Sequence, residues 1–202
     1  MVYKIVYKTV AVLLALSVIP IAVFTPMVQI VGSVKLGDTY VGENLSLYDI
    51  YDFFLSPNAT FHGMDDYQMT DAVRNTMPWL ITAGSFLALA LLLAIAIAVV
   101  CIVCKTKMPT LILSVVSGLS VIGLFRAFKA FAAPYLDGTI RIADMGIFKE
   151  GVFQTLTSAL IKLELLQITT AGFLMIGAFA AVFLWTGAFM LVELGEEKPS
   201  EK

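Results

Sequence analysis

Charge is the first thing this chain has little of. Only 14% of its 202 residues are charged, 59% are hydrophobic, and the mean hydropathy is +0.92. Water-soluble domains carry about a quarter of their residues charged, so the soluble class is excluded. The net charge of −2 excludes a nucleic-acid binder, which needs a basic footprint to neutralise phosphates. Two cysteines cannot build a disulfide scaffold. One histidine, His62, leaves a transition metal without a second imidazole and limits a catalytic triad to a single arrangement. No Walker loop, GxGxxG, Gly-x-Ser-x-Gly or His-Glu-x-x-His occurs, so nucleotide-driven and hydrolytic chemistry have no signature here. The acidic groups Asp49/Asp52 and Asp65/Asp66 do not match a calcium loop and read as solvated. The expectation is a protein that is not an enzyme and holds no cofactor and no metal.

What the chain has is four long intervals without charge: 9–34, 75–104, 108–125 and 165–192, each rich in Leu, Ile, Val, Ala and Phe. About 20 apolar residues at about 1.5 Å rise cross the roughly 30 Å hydrocarbon layer. They predict transmembrane helices at about 10–31, 78–104, 109–130 and 166–192, which make 1–202 a single all-α domain of four membrane helices. The second is the plainest, since Trp79 to Cys104 has Thr82 and Ser85 as its only hydroxyl residues. Lys4 and Lys8 ahead of the first resemble the basic start of a signal peptide. The apolar run after them is too long for one, and no small-x-small cleavage site follows, so a retained anchor is expected. Pro20 and Pro26 each remove a backbone donor and should bend this helix.

The 32–77 segment differs sharply. It holds seven acidic residues against Lys35 and Arg74. Val28 to Leu36 and Thr39 to Val41 flank Gly37-Asp38 as β-prone runs, the pattern of a short hairpin. Ser46-Leu-Tyr-Asp49 reads as a capping box opening a short helix to about Leu55, stopped by Ser56-Pro57. Thr70-Asp71 is a cap for the helix that follows, with Pro78 and Trp79 near the interface. The segment is therefore expected to fold as a small extracytoplasmic cap. The second extracytoplasmic segment is 134–165. Within it Pro134 to Gly146 reads as irregular, and Ile147 to Glu164 reads as an amphipathic helix preceding the fourth span. Residues 193–202 form a charged cytoplasmic tail.

An even number of spans puts both termini on one side. Lys4 and Lys8 stand in eight residues without an acid, and Lys105 and Lys107 fill half of the 105–108 turn. The positive-inside rule then predicts a multi-pass protein of the cell membrane with cytoplasmic termini. It also places the sequons Asn44-Leu-Ser46 and Asn58-Ala-Thr60 outside.

Cys101-Ile-Val-Cys104 is the sharpest chemical motif. A CxxC at a membrane face resembles the four-helix disulfide-generating oxidoreductases, but those relay the dithiol through a second cysteine pair or an external partner, and this chain has no second pair and is expected to carry this one at the cytoplasmic edge. Cys101 and Cys104 are thus a candidate redox or lipidation pair, with packing as the plainer use. Arg126 and Lys129, three residues apart on one helix face, are candidates for an anionic lipid headgroup or for the cap acids Asp49, Asp52 and Asp65. Small residues spaced by four, Gly84/Ala88, Ala90/Ala94/Ala98, Ser114/Gly118 and Gly177/Ala181, fit close helix packing, within the chain or with a membrane-protein partner or second copy. No ionisable residue occupies the middle of a span, against the usual pattern of transporters and pumps.

The order of parts, one span, a long patterned outer segment, two spans, a shorter outer segment and a last span, resembles the plan of claudin-like tetraspan proteins. Their Gly-Leu-Trp signature and outer cysteine pair are missing from 32–77, so no residue or function is carried over. The expected role is a scaffold, accessory subunit or interaction protein working through its cap, in contact with the lipid bilayer and a membrane-protein partner or homo-oligomer, and with no nucleic acid. The alternatives are a membrane thiol oxidoreductase using Cys101/Cys104 and a small oligomeric channel.

Overall fold

A computed structural model describes residues 2–34, 39–54, 71–140 and 161–196. In chain order the elements are α1 (Val2–Phe24), β1 (Val28–Val34), β2 (Thr39–Leu45), α2 (Leu47–Phe54), α3 (Asp71–Arg74), α4 (Met77–Val103), α5 (Met108–Leu136), β3 (Ile161–Ile168) and α6 (Thr170–Glu196). The protein is mostly helical, with a small sheet. Helices α1, α4, α5 and α6 are long and apolar enough to cross a membrane. The chain divides into two compact units, one of Met1–Ile21, Phe86–Gly123 and Phe173–Lys202, the other of Ala22–Ser85 and Leu124–Gly172.

The first unit is helical. Its buried positions recur every three or four residues: Tyr7, Ala11, Ala15 and Val18 on α1, Ala90, Ala94, Ile97, Ala98 and Cys101 on α4, Ser114, Ser117 and Val121 on α5, Met175, Phe179, Val182 and Thr186 on α6. Small side chains on three of these stripes let helix backbones approach closely. The serine hydroxyls are satisfied within their own helix, Ser114 donating to Leu111 O at 2.8 Å, Ser117 to Leu113 O at 2.7 Å and Ser120 to Val116 O at 2.9 Å. Of the small-residue pairs, the Ala90/Ala94/Ala98 stripe is buried, whereas a Cβ on Gly118 or Gly177 would meet nothing within 4 Å. The close approach falls instead at Gly123, where an added Cβ would lie 2.7 Å from the Phe86 ring. The outward faces are as apolar as the inward ones, with Leu92 64%, Leu184 68% and Val103 72% exposed. Apolar surface all round a helix is what a lipid environment accommodates.

The second unit is built around a three-stranded antiparallel sheet in the order β2-β1-β3. The β1–β2 hairpin runs from Val28↔Leu45 to Val34↔Thr39, and the expected turn at Gly37-Asp38 lies outside the described residues. The capping box closes, with Ser46 N donating to Asp49 Oδ2 at 2.8 Å and Asp49 N to Ser46 Oγ at 3.1 Å, and it opens α2. The Leu55 end of that helix and Ser56-Pro57 lie outside the described residues.

Five expectations need correction. Val28–Val31 is strand, not the end of a helix over 10–31. Pro26 has no N–H and disfavours helical backbone at Thr25, so α1 stops at Phe24, while it runs unbroken through Pro20 and begins as early as Val2. The third long helix does not end near 130, and Pro134–Leu136 is not irregular: α5 continues to Leu136. Phe131 packs at a tilt against Phe128 and Tyr135 along that last stretch, ring centroids 5.8 and 5.2 Å apart. Gly138, at φ 79°, then turns the chain.

The largest correction concerns Ile161–Glu164, read as amphipathic helix, and Leu166–Ile168, read as the start of the fourth span. Both belong to β3, and α6 begins only at Thr170. Residues 147–160 of the expected amphipathic helix lie outside the described residues. The reason is an open edge on β1. β3 pairs along it from Val28↔Ile168 to Val34↔Ile161, giving seven residues of central strand a ladder on each side. The register slips between Val31↔Leu165 and Gly32↔Leu163, so Glu164 is the extra residue of a β-bulge. That bulge reconciles the pattern Ile161-Lys-Leu-Glu-Leu with Leu166-Gln-Ile, whose apolar phases differ by one.

The ladder is continued by Met27 N to Leu45 O at 2.8 Å and Thr169 N to Met27 O at 2.9 Å. Pro26 O accepts both Ala171 N and the Thr169 hydroxyl at 3.0 Å, which satisfies a free donor in the first turn of α6. Val73, Tyr135 and Ile140 form a buried cluster with Met77, Phe131 and Leu163 against it. Within it Thr76 Oγ1 donates to Val73 O at 2.8 Å, which leaves the Tyr135 hydroxyl to donate to Thr76 Oγ1 at 2.9 Å.

Candidate functional site

The residues with the most chemistry meet in the first unit, where the start of α1, the end of α4, the Lys105–Lys107 turn, the start of α5 and the end of α6 come together. Tyr7 shares the α1 stripe of Ala11 and Ala15 and so points inward. Its hydroxyl lies 3.9 Å from Cys101 Sγ, which is 3.5 Å from Thr110 Oγ1. Cys101 is therefore a buried partner of two hydroxyls, 3% exposed, while Cys104 is half-buried. Both thiols are free. The Thr186 hydroxyl, fully buried on α6, lies beside the Tyr7 hydroxyl without closing a hydrogen bond.

Lys107 is the hub. Its ammonium lies 2.6 Å from Glu193 Oε1, donates to Phe189 O at 3.2 Å and sits 5.0 Å over the Tyr7 ring and 5.6 Å over the Phe189 ring. With 10% of its side chain exposed, this lysine is neutralised and largely enclosed. Phe189 is packed by Trp185, Tyr3 and Tyr7 at centroid distances of 4.8, 5.3 and 5.4 Å. The Trp185 indole N–H donates to Tyr7 O at 3.3 Å. Lys8 donates to Ile102 O at 2.7 Å, one of the last free carbonyls of α4, and its charge suits that helix end. Lys4 and Lys105 are exposed and form no ion pair with a described residue. These side chains line a cavity of about 520 Å³, bounded by Tyr3, Lys4, Tyr7, Lys105, Lys107, Phe189, Val192 and Glu193. An adjoining one of about 210 Å³ adds Lys8, Cys101, Cys104 and Thr110.

No family model, curated protein or solved structure matches the chain.

Arg126 and Lys129 belong to the second unit. Both are exposed on α5 and make no ion pair with a described residue. Of the acids proposed to meet them, Asp49 has its carboxylate on its own cap, accepting the Ser46 hydroxyl at 2.6 Å, and Asp65 and the Asp52 side chain lie outside the described residues. The Asp49 carboxyl is held below its ordinary range, chiefly by the Ser46 hydroxyl. Glu164, on the bulge, is likewise lowered, mainly by the Ser33 hydroxyl at 2.8 Å, with Lys162 at 3.4 Å assisting. Among the described residues no group of three or more His, Cys, Asp or Glu is placed to hold a metal.

Sequence reasoning found Cys101 and the two turn lysines but missed Tyr7, Thr110, Phe189 and Glu193 as their partners. For Tyr7 a signal was available, since it continues the four-residue alanine stripe of α1. For Glu193 there was none, because its partner Lys107 sits in another hairpin of the chain.

Proposed function

We propose that this chain is an integral membrane protein of four spans, with cytoplasmic termini, that acts as a non-enzymatic interaction protein through its outer cap. The observation that carries the reading is the sheet. Strand β1 is paired on one side by β2 from the same segment and on the other by β3, so Ser33 meets Glu164 and Gln29 meets Gln167 across 131 and 138 residues of chain. Two segments outside the spans are thereby joined into one platform by backbone hydrogen bonds, a rigidity that connecting loops do not need for themselves. A preorganised surface loses little freedom on binding, which favours recognition. The 32–77 segment contributes a net charge of −5, so the partner it suits is a membrane protein presenting a basic outer face.

The test uses the full chain, extracted in mild detergent from the membranes that make it and treated with a zero-length carboxyl-to-amine cross-linker. The expected result is one discrete cross-linked complex that disappears when the exposed acids Glu43 and Asp71 are changed to lysine. A chain that runs alone with and without those changes would overturn the reading. The oxidoreductase alternative gains no support from Cys101, which is 3% exposed and whose sulfur already lies against the Tyr7 and Thr110 hydroxyls.

A further inference from the structure

The cavity in the helical unit asks for an anion. Its two adjoining chambers are lined by four lysines, Lys4, Lys8, Lys105 and Lys107, against one carboxylate, Glu193, a net charge of +3. Two of the four are committed. Lys107 is pinned by Glu193 and Phe189 O, and Lys8 by Ile102 O, and both serve as wall. That leaves Lys4 and Lys105 as exposed ammonium groups on the rim, with no ion pair to a described residue. The cavity's 520 Å³ falls within the roughly 300–1,000 Å³ typical of small-ligand sites. Its floor is aromatic and its rim cationic, so a bound group has to be anionic at one end and tolerant of apolar surface at the other.

We propose that this cavity binds a phosphate group, with Lys4 and Lys105 as its two ligating ammoniums. The chemistry fits lysine, a compact point charge that accepts a phosphate from several directions. A lipid is the source the surroundings suit best. Ile102, Val103 and Met108 are 60%, 72% and 51% exposed beside the same turn, an apolar surface on which acyl chains can lie while the headgroup is held. A free phosphate shares the headgroup chemistry and is separated from it by experiment. The proposal rests on the helices being membrane-embedded and is independent of the cap's partner.

The full chain is purified in a neutral detergent and its thermal unfolding midpoint is followed while dioctanoyl phosphatidylglycerol, dioctanoyl phosphatidylcholine or inorganic phosphate is added. Phosphatidylglycerol is expected to raise the midpoint saturably, less so as salt is added, and phosphatidylcholine to leave it in place. The double variant Lys4→Gln/Lys105→Gln should unfold at the same midpoint without ligand, because neither side chain is ion-paired with a described residue, and should bind about tenfold more weakly. If inorganic phosphate shifts the midpoint as far as the lipid does, the site takes the free anion. Equal shifts by both lipids, no shift by either lipid or phosphate, or unchanged binding by the double variant would overturn the proposal.

Discussion

The unit formed by Met1–Ile21, Phe86–Gly123 and Phe173–Lys202 and the unit formed by Ala22–Ser85 and Leu124–Gly172 are held together by different kinds of bond. In the first, away from the cluster around Tyr7 and Lys107, helices meet through side-chain volume, and the buried Ser114, Ser117 and Ser120 each return their hydroxyl to their own backbone. In the second, backbone groups far apart in sequence complete one another's hydrogen bonds, from the three-stranded sheet to Pro26 O at the start of α6. A unit of the first kind should be sensitive to volume and indifferent to hydroxyls. One of the second kind should respond to any change that moves backbone or strands a polar group.

The largest effect should come from emptying the first unit. Phe179 is 1% exposed, and Phe179→Ala should destabilise by about 3–5 kcal/mol in a denaturant titration of the detergent-solubilised protein. Ser117→Ala, one turn from other buried residues on α5, should change stability by less than about 0.5 kcal/mol, since its hydroxyl serves only Leu113 O. A serine variant as damaging as the phenylalanine one would break the comparison.

Next is the junction of sheet and helix in the second unit. A Cβ at Gly172 would lie 2.6 Å from Ile168 Cγ2 and 2.7 Å from Phe125 Cζ, so Gly172→Ala has to displace the end of β3 or the ring, at about 1–3 kcal/mol. The companion measurement is hydrogen exchange, which should speed up across β3 and leave the helical unit protected. Smaller again is Tyr135→Phe, which removes the hydroxyl donating to Thr76 Oγ1 in the buried cluster and should cost about 1 kcal/mol. No loss at all would mean that Thr76, already donating to Val73 O, needs no second partner.

How far each unit could be read from sequence follows the same divide. The hairpin was legible because Gly37-Asp38 and both flanking strands lie within one short stretch, and the Ser46–Asp49 box because a cap is local. β3 was not, since its partner is Val28–Val34, more than a hundred residues earlier, and no local pattern reports an open edge that far away. Its own alternation is interrupted at Glu164, and the apolar residues upstream supplied a helical period that claimed Leu163. The apolar run of the fourth span likewise extended over Leu165–Ile168, because residues buried in a sheet and residues facing lipid are drawn from the same side chains. In the helical unit the four helices declared themselves by composition. Which faces touch did not, and Gly118 and Gly177 carried the expected spacing although an added Cβ at either would meet nothing within 4 Å.

The smallest expected effect tests whether the bulge belongs to the ladder's strength or only to its shape. Glu164 and Asp49 both have carboxyls lowered in the folded protein, by the Ser33 and Ser46 hydroxyls first. A carboxyl lowered on folding stabilises the fold in its ionised form. That contribution is complete above the unfolded-state value of about 4 and is lost as pH falls through the lower folded-state value. Stability should therefore be flat from neutral pH down to about 5 and decline below that. Ser33→Ala removes the main cause at Glu164 and leaves the Asp49 cap alone, so the acid-side decline should become shallower without vanishing. The readout is the unfolding midpoint measured at stepped pH for both proteins. An identical slope in the variant would mean that the Ser33 hydroxyl does not hold Glu164 in its ionised form, and that the bulge serves only to bring Leu163 and Leu166 into one apolar phase.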